Sequence, residues 1–376
     1  MMPSLLDTTS VNSLLRPWYN SLEEPVTAQE GTLNKLLDLY SKSDYGDRYS
    51  AQDIGGVEEY RENFPLLNYE RLKDLLEPVK RGNYQAFLPE TPEVWVMTRG
   101  TTGTPKVLPA TKLHLRQIFS CGARAYINHV ERSGGVIEGK IVNLSMPSRV
   151  AKIQVEKETI RYGYSSGTYS RLFPSFGKAM LVPTQNEIDN LGSGITKKDW
   201  ENRFDLVYRK VAGEEVTMVI GVAPVIISFA RFIKKVHGRL PRDLWDIRTI
   251  ICTSVRKIHT RYAPLYKKYF GEISTVEIYS ATEGVFAQQL DSLPYVCPNY
   301  DTHLFEVSTG SGFKMLYELE RGEWGRLVIS TCMFPRYDIG DMIESMGKNY
   351  FRVFGRAKPS HILEHRLYRL LFKWFL

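Results

Sequence analysis

Residues 94–109 read VWVMTRGTTGTPKVLP. An apolar run ends at Thr98, and two glycines, four threonines and a proline then lead to Lys106. Gly100 and Gly103 let main-chain N–H groups approach a ligand closely, and neighbouring N–H groups pointing one way form an anion-binding nest. The hydroxyls of Thr98, Thr101, Thr102 and Thr104 add donors, Arg99 adds a guanidinium, and Lys106 adds a point charge suited to phosphate. The spacing is not that of a Walker loop, which needs four residues between its glycines and a lysine directly after the second. Here two residues separate the glycines, and Lys106 lies three beyond Gly103. A plain Thr/Gly-rich turn is the alternative.

Three further stretches follow in order: EIYSATEG (277–284), FPRYDIGDMIE (334–344) and FRVFGRAK (351–358). With TRGTTGTPK, they resemble the signatures of adenylate-forming enzymes, the superfamily of acyl-CoA synthetases, peptide-synthetase adenylation domains and luciferases. The counterparts are its phosphate loop, its aromatic-x-x-Thr-Glu motif, its Tyr-Arg-x-Gly-Asp motif and its Gly-Arg-x-Lys/Asp hinge. The pattern NFPLLNYERLKDLLEPVKRG is most similar to plant auxin-type acyl-acid amido synthetases and their bacterial relatives. The resemblance spans roughly residues 50 to 358.

The resemblance implies roles. Thr101, Thr102, Gly103 and Lys106 would hold the ATP phosphates, with Thr98, Arg99, Gly100 and Thr104 completing the loop. Glu283 would bind Mg²⁺, a hard ion that takes carboxylate and phosphate oxygens together. Thr282 would contact the α-phosphate, Asp341 the ribose hydroxyls, Tyr279 the adenine or acyl group, and Arg356 the ribose–phosphate side; Lys358 would be the hinge. Lys106, Thr282 and Glu283 are the expected catalytic set. The other readings are a packed Tyr279, solvated loop acids at Glu283 and Asp341, and exposed hinge charges at Arg356 and Lys358. In the implied reaction a substrate carboxylate attacks the α-phosphorus of ATP in line and expels pyrophosphate, which needs positioning and charge neutralisation more than a protein nucleophile.

The acyl pocket is expected at strand ends, from Ser145, Val222, Ala223, Thr253 and Ser254, aided by Tyr164 and Tyr169 of a mobile flap at 161–170. Core packing is the plainer role for any one of them. Two residues depart from the family pattern, Arg99 for serine and Asp338 for arginine. The Arg99 guanidinium would either pair with the phosphates or fill their space. Only 18 residues follow Lys358, so the family's C-terminal domain, with the lysine that assists adenylation, has no counterpart. The expectation is a large N-terminal domain without its mobile lid.

Shortened bacterial members in secondary metabolism suggest an aromatic substrate acid, such as a phenazine carboxylate of antibiotic biosynthesis, passed as acyl-adenylate to a downstream pathway enzyme. A non-catalytic acyl- or nucleotide-binding protein that keeps the fold is the alternative. A complete ligase acting alone is a third and weaker one.

These residues need elements to position them. Helices are expected at 22–42, 69–80 with Asn68 as cap, 112–130, 199–212, 225–237 and 259–269. Strands are expected at 93–98, 140–145, 216–221, 247–252 and 275–279. Their alternation predicts an α/β fold of mostly parallel sheets flanked by helices. After residue 285 the short runs VFAQQL, HLFEV, FKMLYEL, GRLVIS and YFRVFG predict a small antiparallel β subdomain. The expected division is 1–180 with the phosphate loop, 181–290 as a second α/β part, 291–355 as the β-rich part, and 356–376 as hinge remnant and terminal helix. In that tail Ile362, Leu363, Leu367, Leu370, Leu371 and Trp374 have helical spacing, predicting an amphipathic helix packed on the body, with a membrane-surface or homodimer role as the alternative. His361, Glu364 and His365 fit H-x-x-E-H but lack a third ligand, and read as a chance match.

Bulk composition sets limits. The chain has 376 residues, 24% charged and 43% hydrophobic, as in an ordinary soluble protein. Its charge of +7 is scattered, which suits a small anionic substrate rather than nucleic acid. Cys121, Cys252, Cys297 and Cys332 lie far apart, predicting reduced thiols. MMPSLLDTTSVNSLL lacks a basic n-region, and no window approaches the roughly 18–20 apolar residues of a membrane span, so the cytoplasm is expected.

Overall fold

The computed structural model describes residues 8–98, 105–134, 138–176, 179–253 and 255–372. Two compact units emerge. The first comprises Met1–Leu15, Glu93–Ala110 and Ile118–Pro294; the second comprises Arg16–Pro92, Thr111–Gln117 and Tyr295–Leu376.

The first unit is built on apolar, β-branched runs such as VTMVIGV and TIICT, which suit strands covered on both faces. Its larger sheet runs Gly284–Gln288, Ser274–Ala281, Thr249–Thr253, Val216–Val222, Lys140–Asn143, Ala179–Val182, Ser175–Phe176 in spatial order. The five inner strands are parallel. Gly284–Gln288 and Ser175–Phe176 are antiparallel to their neighbours. Helices Lys197–Val211, Ala223–His237 and Ala263–Phe270 cover it, burying Phe204, Ile226, Phe229, Ile233 and Tyr266 against Val219 and Ile250. Pro224 in the first turn and left-handed Gly238 after the last mark the ends of one of them. A smaller sheet orders Val107–Thr111, Pro92–Met97, Glu158–Tyr164 and Ala151–Val155.

The second unit holds an antiparallel sheet in the order Gly312–Met315, Leu304–Thr309, Trp324–Ser330, Tyr337–Gly347, Tyr350–Arg356. Helices Pro25–Tyr40 and Tyr69–Lys80 belong to it, and the Asn68 side chain caps the latter by accepting from the Arg71 N–H. Gln29 and Thr32 donate to the Tyr300 carbonyl, and Tyr40 donates to that of Thr331, so the helix is fixed by buried polar bonds as well as by leucines.

Three expectations are corrected. Residues 161–170 are not a mobile flap: they form the end of strand Glu158–Tyr164 and the start of helix Ser165–Leu172. Their glycines serve close packing. A Cβ at Gly163 would collide with the Ser148 carbonyl and one at Gly167 with the Met146 carbonyl. VFAQQL belongs to the first unit's larger sheet, paired with Ser274–Ala281. The terminal helix Pro359–Phe372 exists, but its leucine face is not packed down: Leu363, Leu367, Leu370 and Leu371 are 51–72% exposed. Its buried anchor is His365, stacked on Phe354 with ring centroids 3.8 Å apart, and Trp374 lies outside the described residues.

Candidate active site

Thr98 closes the strand Pro92–Met97, and Lys106 precedes the strand Val107–Thr111. Two bonds join them: the Lys106 N–H donates to Thr98 Oγ1 at 3.0 Å, and the Thr98 N–H donates to the Lys106 carbonyl at 2.9 Å. The intervening loop therefore leaves and returns at one clasped point. Arg99, Gly100, Thr101, Thr102, Gly103 and Thr104 lie outside the described residues, as does Ser254.

Lys106 reaches Glu283, with Nζ 3.2 Å from Oε1. Glu283 and Thr282 form the two-residue turn between Ser274–Ala281 and Gly284–Gln288, where Ala281 pairs with Gly284. The turn is buried, Thr282 at 6% and Glu283 at 2% exposure. A polar hairpin tip normally sits in water, so burying a carboxylate there requires compensation, and Lys106 supplies it.

The hairpin rises from the carboxyl edge of the parallel strands, where open α/β sheets bind ligands. Ser145 lies just past Lys140–Asn143, and Val222 and Thr253 end their strands on that edge. Ser145 Oγ is 2.7 Å from Ser170 Oγ, and Thr253 Oγ1 is 2.6 Å from Ser280 Oγ. Ala223 is fully buried in the core beneath, which gives it no open face. Tyr279 is 7% exposed, with its ring 5.5 Å from that of Phe286. Tyr164 is buried with Met97 and Met146.

Sequence reasoning left Ser165, Ser170 and Ser280 out of the site, although all three bond to residues in it. The Thr282 hydroxyl donates to Ser165 Oγ at 3.3 Å, and the Tyr169 hydroxyl donates to the Thr282 carbonyl at 3.3 Å. The signal was the hydroxyl density of SSGTYS, legible only once that stretch is read as a helix start.

In the second unit Asp341 accepts from Arg356 Nη1 at 2.8 Å and is 8% exposed. Asp341 and Arg356 are cross-strand partners. The preceding Gly340 has φ +80, and a Cβ there would press on the Arg356 guanidinium. Asp338 is accounted for locally: it accepts from Arg326 Nη1 at 2.8 Å and from the Gly340 N–H at 2.9 Å. Lys358 is exposed. His361 Nδ1 accepts from the Arg356 N–H at 2.8 Å, which occupies one nitrogen of the H-x-x-E-H pattern.

Among the described residues no group of three or more His, Cys, Asp or Glu side chains could hold a metal. A single carboxylate is instead a donor that suits Mg²⁺ carried in on phosphate oxygens, since Mg²⁺ keeps most of its shell from water and ligand, and the neighbouring ammonium suits the phosphate. The residues at Glu283 fit that arrangement. No described helix is long and apolar enough to cross a membrane.

The GH3 family N-terminal domain matches residues 15–200, a stretch that ends before the Thr282–Glu283 turn. No curated protein matches the sequence. Among solved structures, the chain is similar to the AtGH3.15 acyl acid amido synthetase in complex with 2,4-DB. The two are 14% identical with TM-score 0.73, over 95% of this chain and 72% of that one. It is also similar to 2-hydroxyisobutyryl-CoA ligase in complex with 2-HIB-AMP and CoA in the thioesterification state, at 13% identity and TM-score 0.64, over 90% and 69% of the two chains. The fold is that of the large N-terminal domain of adenylate-forming enzymes.

Proposed function

We propose that this chain uses ATP to activate a carboxylic acid as its acyl-adenylate. The observation that carries the reading is the Lys106–Glu283 pair at 3.2 Å, set between the clasped Thr98–Lys106 loop and a buried turn on the carboxyl edge of the sheet. A lysine and a glutamate that neutralise each other can exchange those partners for a phosphate and a metal ion. Lys106 would turn to the triphosphate oxygens and Glu283 to Mg²⁺, which when bound neutralises phosphate charge. The Thr282 hydroxyl would face the α-phosphate, and the amides of the loop at 99–104 would receive the remaining oxygens. Attack of the substrate carboxylate then forms a carbon–oxygen–phosphorus link as the bond to pyrophosphate breaks. The assigned residues orient the groups and balance charge. Asp341 is assigned to ribose hydroxyls on its motif and its buried pairing with Arg356.

Within this reading we assign the acid as aromatic, a phenazine carboxylate of bacterial secondary metabolism being the specific candidate. The work would be cytoplasmic, and the adenylate would pass to a downstream pathway enzyme. The support is the sequence resemblance. Pyrophosphate exchange into ATP across a panel of aromatic acids tests it. Acid-dependent exchange is expected, falling about 100-fold or more in Lys106→Ala and Glu283→Gln, the scale for losing a transition-state charge partner. Acid binding without exchange would mark a carrier instead of an enzyme.

A further inference from the structure

We propose that Tyr169 is a positioning residue: its hydroxyl, delivered by helix Ser165–Leu172, fixes the Thr282–Glu283 turn and so aims the Glu283 carboxylate. The inference rests on the adenylation reading for its catalytic consequence, but its structural part stands separately.

The turn needs holding. It has two residues, it is buried, and the ladder beneath it slips register between Tyr279 and Ser280. The Thr282 carbonyl belongs to the peptide unit whose other end is the Glu283 nitrogen, so rotating that unit swings the carboxylate away from Lys106. The Tyr169 hydroxyl takes the carbonyl at 3.3 Å, and Ser165 on the same helix takes the Thr282 hydroxyl at 3.3 Å. Both contacts are long hydrogen bonds, so each is sensitive to a small rotation of the turn. A buried carbonyl left unmatched is costly, enough to set the orientation of one peptide.

The donor is itself well seated. The half-buried Tyr169 packs beside Ile118, Cys121, Val285 and Ile278. Gly167 brings the helix against the Met146 carbonyl more closely than any side chain would permit. On the next residue Ser170 reaches Ser145, a candidate acyl-pocket residue. One short helix therefore touches both the acyl side and the metal side of the candidate site within a single unit. Burial, then the neighbouring Glu283, pushes the Tyr169 pKa well up, so the hydroxyl remains a neutral donor.

The test is Tyr169→Phe, which removes only the hydroxyl, with two readouts. In pyrophosphate exchange, kcat is expected to fall about tenfold with the KM for acid within about twofold, since misplacing a group costs rate more than binding. In amide hydrogen exchange, protection is expected to drop at 281–284 and to hold in the inner strands of the same sheet. Wild-type rate with unchanged protection at 281–284 overturns the proposal. So does a loss of protection spread over the whole unit, which would mean a packing role only. If the wild-type protein shows no pyrophosphate exchange, the adenylation reading has failed. Local amide protection alone then judges Tyr169: a drop at 281–284 supports the positioning role, and no change removes it.

Discussion

A carboxylate at 2% exposure with one cation 3.2 Å away is an asymmetric arrangement, and its asymmetry can be measured. Lys106→Ala strands the Glu283 charge in the interior, whereas Glu283→Gln leaves a partly exposed lysine that water can reach. Removing one partner of a buried pair costs about 3–5 kcal/mol. Urea unfolding should therefore show Lys106→Ala well below Glu283→Gln in stability, and the double variant recovering most of the difference. Equal losses in both single variants would mean that the pair is solvated. Both residues stand in stretches, TPK and ATEG, that spacing and residue type single out for chemistry. That they bond to each other was not legible, since they stand 177 positions apart.

Glycine teaches the same lesson for elements. Gly163 and Gly167 in RYGYSSGTYS suggest a flap when read by composition, yet both permit backbone contact inside a packed unit. Gly122, within helix Lys112–Ser133, has nothing within 4 Å of its missing Cβ. Gly167→Ala should destabilise the protein by several kcal/mol through that clash. Gly122→Ala should stabilise it by about 0.5–1 kcal/mol through helix propensity. Chemical denaturation of the two variants checks the contrast, which a flexible 161–170 would erase. The terminal helix shows a second limit. Its leucine spacing predicted the helix, but a histidine anchors it: burial, then Arg352 and Arg369, push His365 down to about 4. The folded helix thus docks with His365 neutral, while an unfolded histidine titrates near 6.5. Its contribution is complete above about pH 6.5 and is lost as pH falls toward 4, by up to about 1.4 kcal/mol per pH unit. His365→Phe should flatten that acid slope in urea unfolding between pH 7 and 4.5, and an unchanged slope would place the titration elsewhere.

For the whole chain, the alternation of strands and helices from residue 93 onward carried the fold class, because period and length survive without knowledge of contacts. The hairpin Ala151–Val155 with Glu158–Tyr164, and the long strand Tyr337–Gly347, were less legible. The first is partly exposed and charged, and the second runs through a motif rich in turn-forming residues. All four cysteines are free and buried, and burial raises the Cys252 pKa. A thiol reagent should therefore label almost none of them in the native protein and all after denaturation. The central claim is that Lys106 and Glu283 together receive a magnesium-bound triphosphate. Calorimetric titration of ATP with and without Mg²⁺ into wild-type and Glu283→Gln protein tests it most directly. The account predicts Mg²⁺-dependent binding by the wild type that weakens at least about tenfold in the variant, the scale of one charge-assisted contact. Equal affinity in all four titrations, or no nucleotide binding by the wild type, would contradict it.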